Sequence, residues 1–535
     1  MKKISLLLSL ASIICITSCT NKNNSNDTNY SNPQVLTEAG TYPIINEEYK
    51  GKVTLKIMGA SNAAINPDWS KNKFFIRMSE LTGVNFDFQV YGDDMYTEKK
   101  GLALSTGNNL PDIFLKANFS NYDEVTYGGK TIISLNKLID DYAPNLKKIL
   151  NDNPIIKKSI TTVDGNIYAL PTIYLNLPNN ATTNMRGFFW INQSWMNDLS
   201  LTMPTTPDEF LNVLRKFKKE KCLIDDSYPL VIAGIDDLVK IFNFFGMDLT
   251  QYWVQGNSSN KLDFCPQTEE FKECLAFIKT MVNEGLMNSD WSATTPTQVN
   301  AKGSSGDYYG CFIQAAPQYV VGFDKMKQYT TLNPISTNGN DGFWGANYPV
   351  QRGCFAITSA CQYPEAAIRF IDSLYDISSP YGLWSSIGQE NQEWKWLDES
   401  KTAWKSTVSD QNYSEVMATT IIQTGDGMPY AVDESFYERQ QTDTDLYTRP
   451  LRNKQMQYGK VGYPNVYFNK TELREISDLA TDINNYVNRY IANTISGSKN
   501  LSSDWDNFKE FKRIDLDRYL QILQGRYDDF YNSIK

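Results

Sequence analysis

The sequence predicts an α/β fold, and three observations carry that reading. Short strand-like runs alternate with helix-like runs, sharp helix starts recur along the body, and the last third is rich in helix. Val53, Leu55 and Ile57 alternate with Thr54 and Lys56 before Gly59, the period of a strand. Asp68 to Leu81 has helical spacing and stops at Gly83. Val84, Phe86, Phe88 and Val90 alternate again. Leu110-Pro111-Asp112-Ile113-Phe114-Leu115 is a short apolar strand after the turn Gly107-Asn108-Asn109. Strand, helix and strand joined by short connections favour parallel pairing.

The helix starts are specific. In Thr206-Pro207-Asp208-Glu209, Thr206 caps, Pro207 suits the first turn and Glu209 reaches back to the cap. Phe210, Val213, Leu214 and Phe217 then share a face. The same grammar recurs at Thr268-Glu269-Glu270-Phe271, with Leu275, Ile278 and Val282 before Gly285, and at Pro364-Glu365, with Ala367, Phe370, Ile371, Leu374 and Tyr375. These stripes are core faces. Thr471–Ile495 and Trp505–Lys535 read as helices packed on a body. A chain of 535 residues buries more than one core.

Residues 1–18 read as a lipoprotein signal peptide: Lys2 and Lys3, an apolar run from Ile4 to Ile16, then Ile16-Thr17-Ser18-Cys19. The run falls short of the roughly 20 apolar residues of a membrane-spanning helix. Cleavage before Cys19 and acylation of that residue would place the chain outside the cytoplasm, anchored to a membrane. Thr20 to Asn32 holds no aliphatic residue and reads as a flexible tether, with the body beginning after residue 45.

Composition excludes several functions. The formal charge of −10, which becomes −12 without Lys2 and Lys3, argues against a nucleic-acid partner. With no histidine there is no Ser-His-Asp or Cys-His machinery and no histidine-ligated metal. Carboxylate chemistry remains open. Besides Cys15 and Cys19, six cysteines remain (Cys222, Cys265, Cys274, Cys311, Cys354 and Cys361), read as buried thiols rather than disulfides. No enzyme motif stands out, and no cofactor or metal is expected.

The positive signal is aromatic content of 13%. Several tryptophans, Trp253, Trp291, Trp344 and Trp384 among them, lie in stretches with Gly, Asn or Pro nearby rather than inside helical stripes. Loop-borne rings can stack on the C–H face of a sugar while amides and carboxylates bond its hydroxyls. Asn62, Asp112, Asn118 and Asn347, at strand ends or next to those rings, are the candidate hydroxyl partners.

Several segments together resemble one family. Leu110-Pro111-Asp112-Ile113-Phe114, Asp164-Gly165-Asn166-Ile167-Tyr168-Ala169-Leu170-Pro171 and Trp190-Ile191-Asn192-Gln193-Ser194-Trp195-Met196 occur in order. Leu201 to Phe210, Asn283-Glu284-Gly285-Leu286 and Tyr363-Pro364-Glu365-Ala366-Ala367 follow. This series is similar to the extracellular solute-binding proteins, family 1, of carbohydrate ABC importers, in their long lipoprotein branch. The resemblance implies a two-lobed periplasmic-binding-protein type II clamshell with extra C-terminal helices. It places the first lobe at 46–170 plus 353–380 and the second at 171–352 plus 381–535, with crossings near Tyr168–Pro171 and Gly353–Thr358. It implies a monomer that binds an oligosaccharide, catalyses nothing and docks on permease subunits.

Two departures matter. Lys219 to Pro229 lacks the glycine and alternating oxygens of the calcium loop carried by many long-branch members, so no calcium is expected there. Asn192 stands where the family usually has Arg or Lys. Two rival readings are a SusD-like, nearly all-helical outer-membrane glycan-binding lipoprotein and a carboxylate-dependent surface glycoside hydrolase.

Overall fold

The computed structural model describes residues 32–61, 68–185, 187–250, 252–337, 342–408, 413–422 and 427–534. The signal segment, Cys19 and Asn62 lie outside the described residues.

Two sheets organise the chain. The first has six strands in the order Ala431–Asp433, Leu170–Leu175, Val350–Ile357, Ile113–Leu115, Thr54–Ser61 and Asn85–Gly92. Strand 54–61 pairs in parallel with both 85–92 and 113–115, as strand–helix–strand order requires. The intervening helix Lys73–Thr82 starts where the Asn72 side chain accepts from the Phe74 amide, and it ends at Gly83 with φ 76°. The sequence pattern had begun this helix at Asp68. The Asn72 cap divides the segment, leaving Trp69–Lys71 as a separate 3₁₀ turn. Phe74, Phe75 and Met78 from its inner face join Leu55 and Ile57 in the core.

The second sheet runs Tyr329–Thr331, Phe188–Asn192, Tyr309–Gln314 and Tyr228–Leu230. Helix Pro207–Glu220 packs on it through Phe210, Leu214 and Phe217. Its Thr206–Glu209 capping box is complete in both directions. Thr268 caps helix Glu269–Asn283. The C-terminal helices Lys470–Ile495, Leu501–Phe508 and Leu516–Asn532 add Ile483, Val487, Ile491, Tyr519 and Leu523 to the same core as Trp190 and Phe242. The single helix expected over 505–535 breaks. Phe511 turns with φ 46°, and the Asp515 carboxylate caps a new helix by accepting from the Arg518 amide at 3.0 Å.

Two sheets, each with its own core, leave no room for a nearly all-helical SusD-like reading.

Two expected boundaries shift. The body is expected to begin after residue 45, but residues 32–45 already form a strap on the first lobe. Val35, Leu36, Ile44 and Ile45 are buried there, and the Arg369 guanidinium donates to the carbonyls of Thr37 at 2.6 Å, Glu38 at 2.8 Å and Thr41 at 2.8 Å. Sparse apolar residues suffice when a preformed surface accepts them. The chain from 381 onward was assigned to the second lobe, but strand Ala431–Asp433 pairs in parallel with 170–175 at the edge of the first sheet. Trp394, Trp404 and Phe436 form a satellite cluster beside it. Such long-range edge pairing leaves no local sequence mark.

Candidate functional site

The chain passes between the sheets after strand 170–175 and again before strand 350–357. The two passages are tied together: Asn184 and Asn347 exchange both backbone hydrogen bonds, at 2.8 and 3.0 Å. Three adjoining cavities share Asn347 as a lining residue. The one toward the second sheet is about 520 Å³ and presents Asp236, Asp237, Lys240, Asn300 and Gln314. The middle one, about 340 Å³, presents Lys240, Asp248, Tyr252, Tyr463 and Asn465. The one toward the first sheet, about 290 Å³, presents Asn118, Asn121, Tyr174, Asn184, Tyr348, Gln351 and Arg352. Each falls near or within the size range of small-molecule sites.

The first-lobe wall lies at the carboxyl end of strand 113–115, where α/β sheets place ligands. Asn118 adopts φ 45°, a left-handed conformation that asparagine tolerates. Its loop is clamped on the neighbouring strand: the Ala117 and Phe119 amides donate to the Cys354 and Gly353 carbonyls, each at 2.9 Å. This approach requires Gly353, which has φ 74° and whose absent Cβ would collide with the Phe119 carbonyl. The ladder shifts register between Gln351 and Phe355, which bends the strand into the crossing. Asn121 and Gln351 line the cavity, and each also holds a buried side-chain oxygen that has no partner among the described residues. Such groups call for a ligand or water.

The second-lobe wall is charged. Helix Gly234–Leu238 carries Asp236, which is exposed, and Asp237, whose carboxylate accepts from the Ala233 amide at 3.0 Å. Burial pushes Asp237 up to about 7. Asp248 accepts from the Gly462 amide at 2.7 Å, and burial raises it to about 6. Lys240, held down by burial, lines two of the cavities and has no hydrogen bond or ion pair among the described residues.

Behind the first-lobe cavity, the Tyr467 hydroxyl reaches both Glu124 carboxylate oxygens at 2.9 Å. The Arg352 guanidinium lies 4.1 Å from the Tyr467 ring centroid and donates to Asn465 Oδ1 at 2.7 Å. Burial raises Glu124 to about 8. This contact joins helix Asn121–Tyr127 of the first lobe to the segment leading into helix 470–495.

Of the sequence-derived candidates, Asn118 and Asn347 line the cleft. The tryptophans do not. Trp344 is 2% exposed and stacks on Phe189 in the second core. Trp253, 4% exposed, donates its indole N–H to Asn484 Oδ1 at 2.6 Å. Trp291 is 5% exposed in the same core. Trp384 packs half-buried on the first core, edge-on to Tyr381. None offers a free stacking face at the cleft. Glycine and polar neighbours mark a loop; they do not say whether its ring points inward. Asp112 lies at the amino end of its strand, away from the cleft, and its carboxylate accepts from the Lys56 amide at 2.7 Å. The aromatic rings that do line the cleft include tyrosines: Tyr174, Tyr252, Tyr348 and Tyr463. The sequence reading missed these and the second-lobe charges, although Gly234-Ile235-Asp236-Asp237 carries the signature of an acidic first helical turn.

Asn192 caps helix Gln193–Asp198 by accepting from the Trp195 amide at 3.0 Å. In the stretch 219–229, Lys221 pairs with Asp198 at 2.6 Å, and Asp226 pairs with Lys302 at 3.1 Å. The six cysteines of the body are free thiols.

Two sheets with separate cores and a polar cleft between them give the two-lobed architecture seen in solute-binding proteins. The close homologues of this chain are ABC transporter substrate-binding proteins for carbohydrates. The chain is 28% identical to the fructooligosaccharide ABC transporter substrate-binding protein FusA of Streptococcus pneumoniae, over 98% of each chain. It is 26% identical to the polygalacturonan/rhamnogalacturonan-binding protein YtcQ of Bacillus subtilis, over 57% of this chain and 60% of that one. FusA in complex with kestose superposes with a TM-score of 0.74 at 27% identity, over 90% of this chain and 100% of that one. An extracellular solute-binding protein from Bifidobacterium longum subsp. infantis shares the fold with a TM-score of 0.75 at 17% identity, over 89% of this chain and 98% of that one. No family model matches the chain.

Proposed function

We propose that this chain is a lipid-anchored, extracytoplasmic solute-binding protein that captures an oligosaccharide between its lobes and delivers it to an ABC importer, acting as a monomer and breaking no bond. The observation that carries this reading is the cleft. Amide side chains from both lobes and the charges of the second converge on Asn347, the arrangement that bonds hydroxyls, in a chain that aligns with FusA along 98% of its length. Asn118 and Asn347, expected from the sequence, would contact the ligand together with Asn121, Lys240 and Asp237, which line the same cavities. Closure of the lobes on the ligand would present the form that permease subunits recognise. The Cys19 acyl anchor would hold the strap side of the first lobe toward the membrane.

Thermal denaturation against a panel of neutral oligosaccharides tests the capture. At about 100 times Kd, a bound ligand stabilises the folded state by about 2.7 kcal/mol, a readily visible rise in Tm. A panel in which no oligosaccharide raises Tm defeats the reading. For the anchor, Cys19→Ser should release the protein from the membrane fraction into the medium.

A further inference from the structure

We infer that the cleft selects an uncharged, polyhydroxylated oligosaccharide and rejects polyuronates, with Lys240 donating to a ligand oxygen. This deepens the proposed function and rests on it. The first-lobe wall points to uncharged hydroxyls. The amides of Asn121 and Gln351 each hold a buried oxygen without a partner among the described residues, and both line the cavity beside Asn347. A hydroxyl is donor and acceptor at once and can meet either end of an amide. A carboxylate only accepts and can meet only the N–H end. A uronate unit carries a carboxylate in place of one hydroxyl and so offers these amides one donor fewer.

The second-lobe wall adds a charge argument. Asp236, Asp237 and Asp248 face the cavities, against the cations Lys240 and Arg352. Arg352 is already committed to Asn465 and to the Tyr467 ring. Burial raises Asp237 and Asp248, which weakens their negative field below their titration, while Asp236 stands exposed beside them. Lys240 alone has an ammonium without a protein acceptor among the described residues. It sits where the two second-lobe cavities meet, among these carboxylates. A single ammonium that shares its two cavities with three carboxylates can serve one hydroxyl or ring oxygen. It cannot neutralise a ligand bearing one negative charge per sugar unit. Like-charge juxtaposition at an interface costs enough to exclude such a ligand.

The test is isothermal titration of the full-length mature protein at pH 8 with two probe sets: neutral oligosaccharides, kestose among them, and oligogalacturonates of matched length. The expected result is binding of at least one neutral probe and oligogalacturonate binding at least about 100-fold weaker. Lys240→Met should weaken the neutral probe by about 10-fold or more, with Tm unchanged. Asp236→Lys alters an exposed side chain and should strengthen oligogalacturonate binding at least about 10-fold. Oligogalacturonate binding as tight as the best neutral probe overturns the inference and leaves oligosaccharide capture standing. Binding by neither probe set defeats capture itself. Should Asp236→Lys leave the ratio of the two probe sets unchanged, the charge argument fails, whatever the wild type binds.

Discussion

The two walls of the cleft differ in kind. The first-lobe wall is built from amides on a clamped loop and a bent crossing strand, Asn118, Asn121 and Gln351, beside Arg352, whose guanidinium is engaged by Asn465. The second-lobe wall carries Asp236, Asp237, Lys240 and Asp248 on a short helix and the turns after it. An amide wall recognises by geometry and accepts any correctly placed hydroxyl. A charged wall discriminates by sign. A ligand that used both walls would draw the lobes together about Asn347, which lines all three cleft cavities.

That comparison can be broken or sharpened by substitution. The largest effect on stability should come from Trp344→Ala, three residues before Asn347 but wholly in the core. Loss of a buried indole costs about 3–5 kcal/mol, visible as a lower urea midpoint. If the variant lost ligand affinity without losing stability, Trp344 would belong to the wall after all.

Next is the pH dependence set by Glu124. Burial raises its folded pKa from 4.5 to about 8, so the folded state holds this proton more tightly than the unfolded chain. Its contribution is fully present below about 4.5 and is lost as pH rises through about 8. Arg352 and Tyr467 favour its charged form and Asp123 opposes it, but burial dominates. Glu124→Gln should flatten the slope of Tm against pH between 5 and 8.5; an unchanged slope would remove Glu124 as the cause.

Asn347→Ala should cost binding rather than folding: about 10-fold or more in Kd by calorimetry, with Tm within about a degree of wild type. An equal loss from folding would make Asn347 a structural tie. The smallest effect is Thr206→Ala, far from the cleft, which removes one helix cap and about 1 kcal/mol, without changing Kd.

Much of the fold was legible locally. The Thr206 capping box, the Thr268 cap and the alternation at 54–61 and 85–92 encode elements through neighbours in sequence, and the structure forms each one. Elements that depend on partners far along the chain were less legible. The helix expected over 505–535 broke at Phe511, and strand 431–433 joined a sheet edge more than 250 residues from its partner. Of the residues that line the cleft, Asn118 and Asn347 were legible because asparagine beside a strand end or turn is a local signal. Trp253, Trp291 and Trp344 misled because the same local signal fits a ring turned into the core.

By itself the sequence determined the α/β class, the helix boundaries set by caps and the absence of histidine chemistry, since each depends only on residue type and short spacing. Tertiary structure alone decided which side chains face the cleft. The direction of a loop side chain is set by the surfaces that close around it, and here those surfaces come from strands and helices hundreds of residues apart.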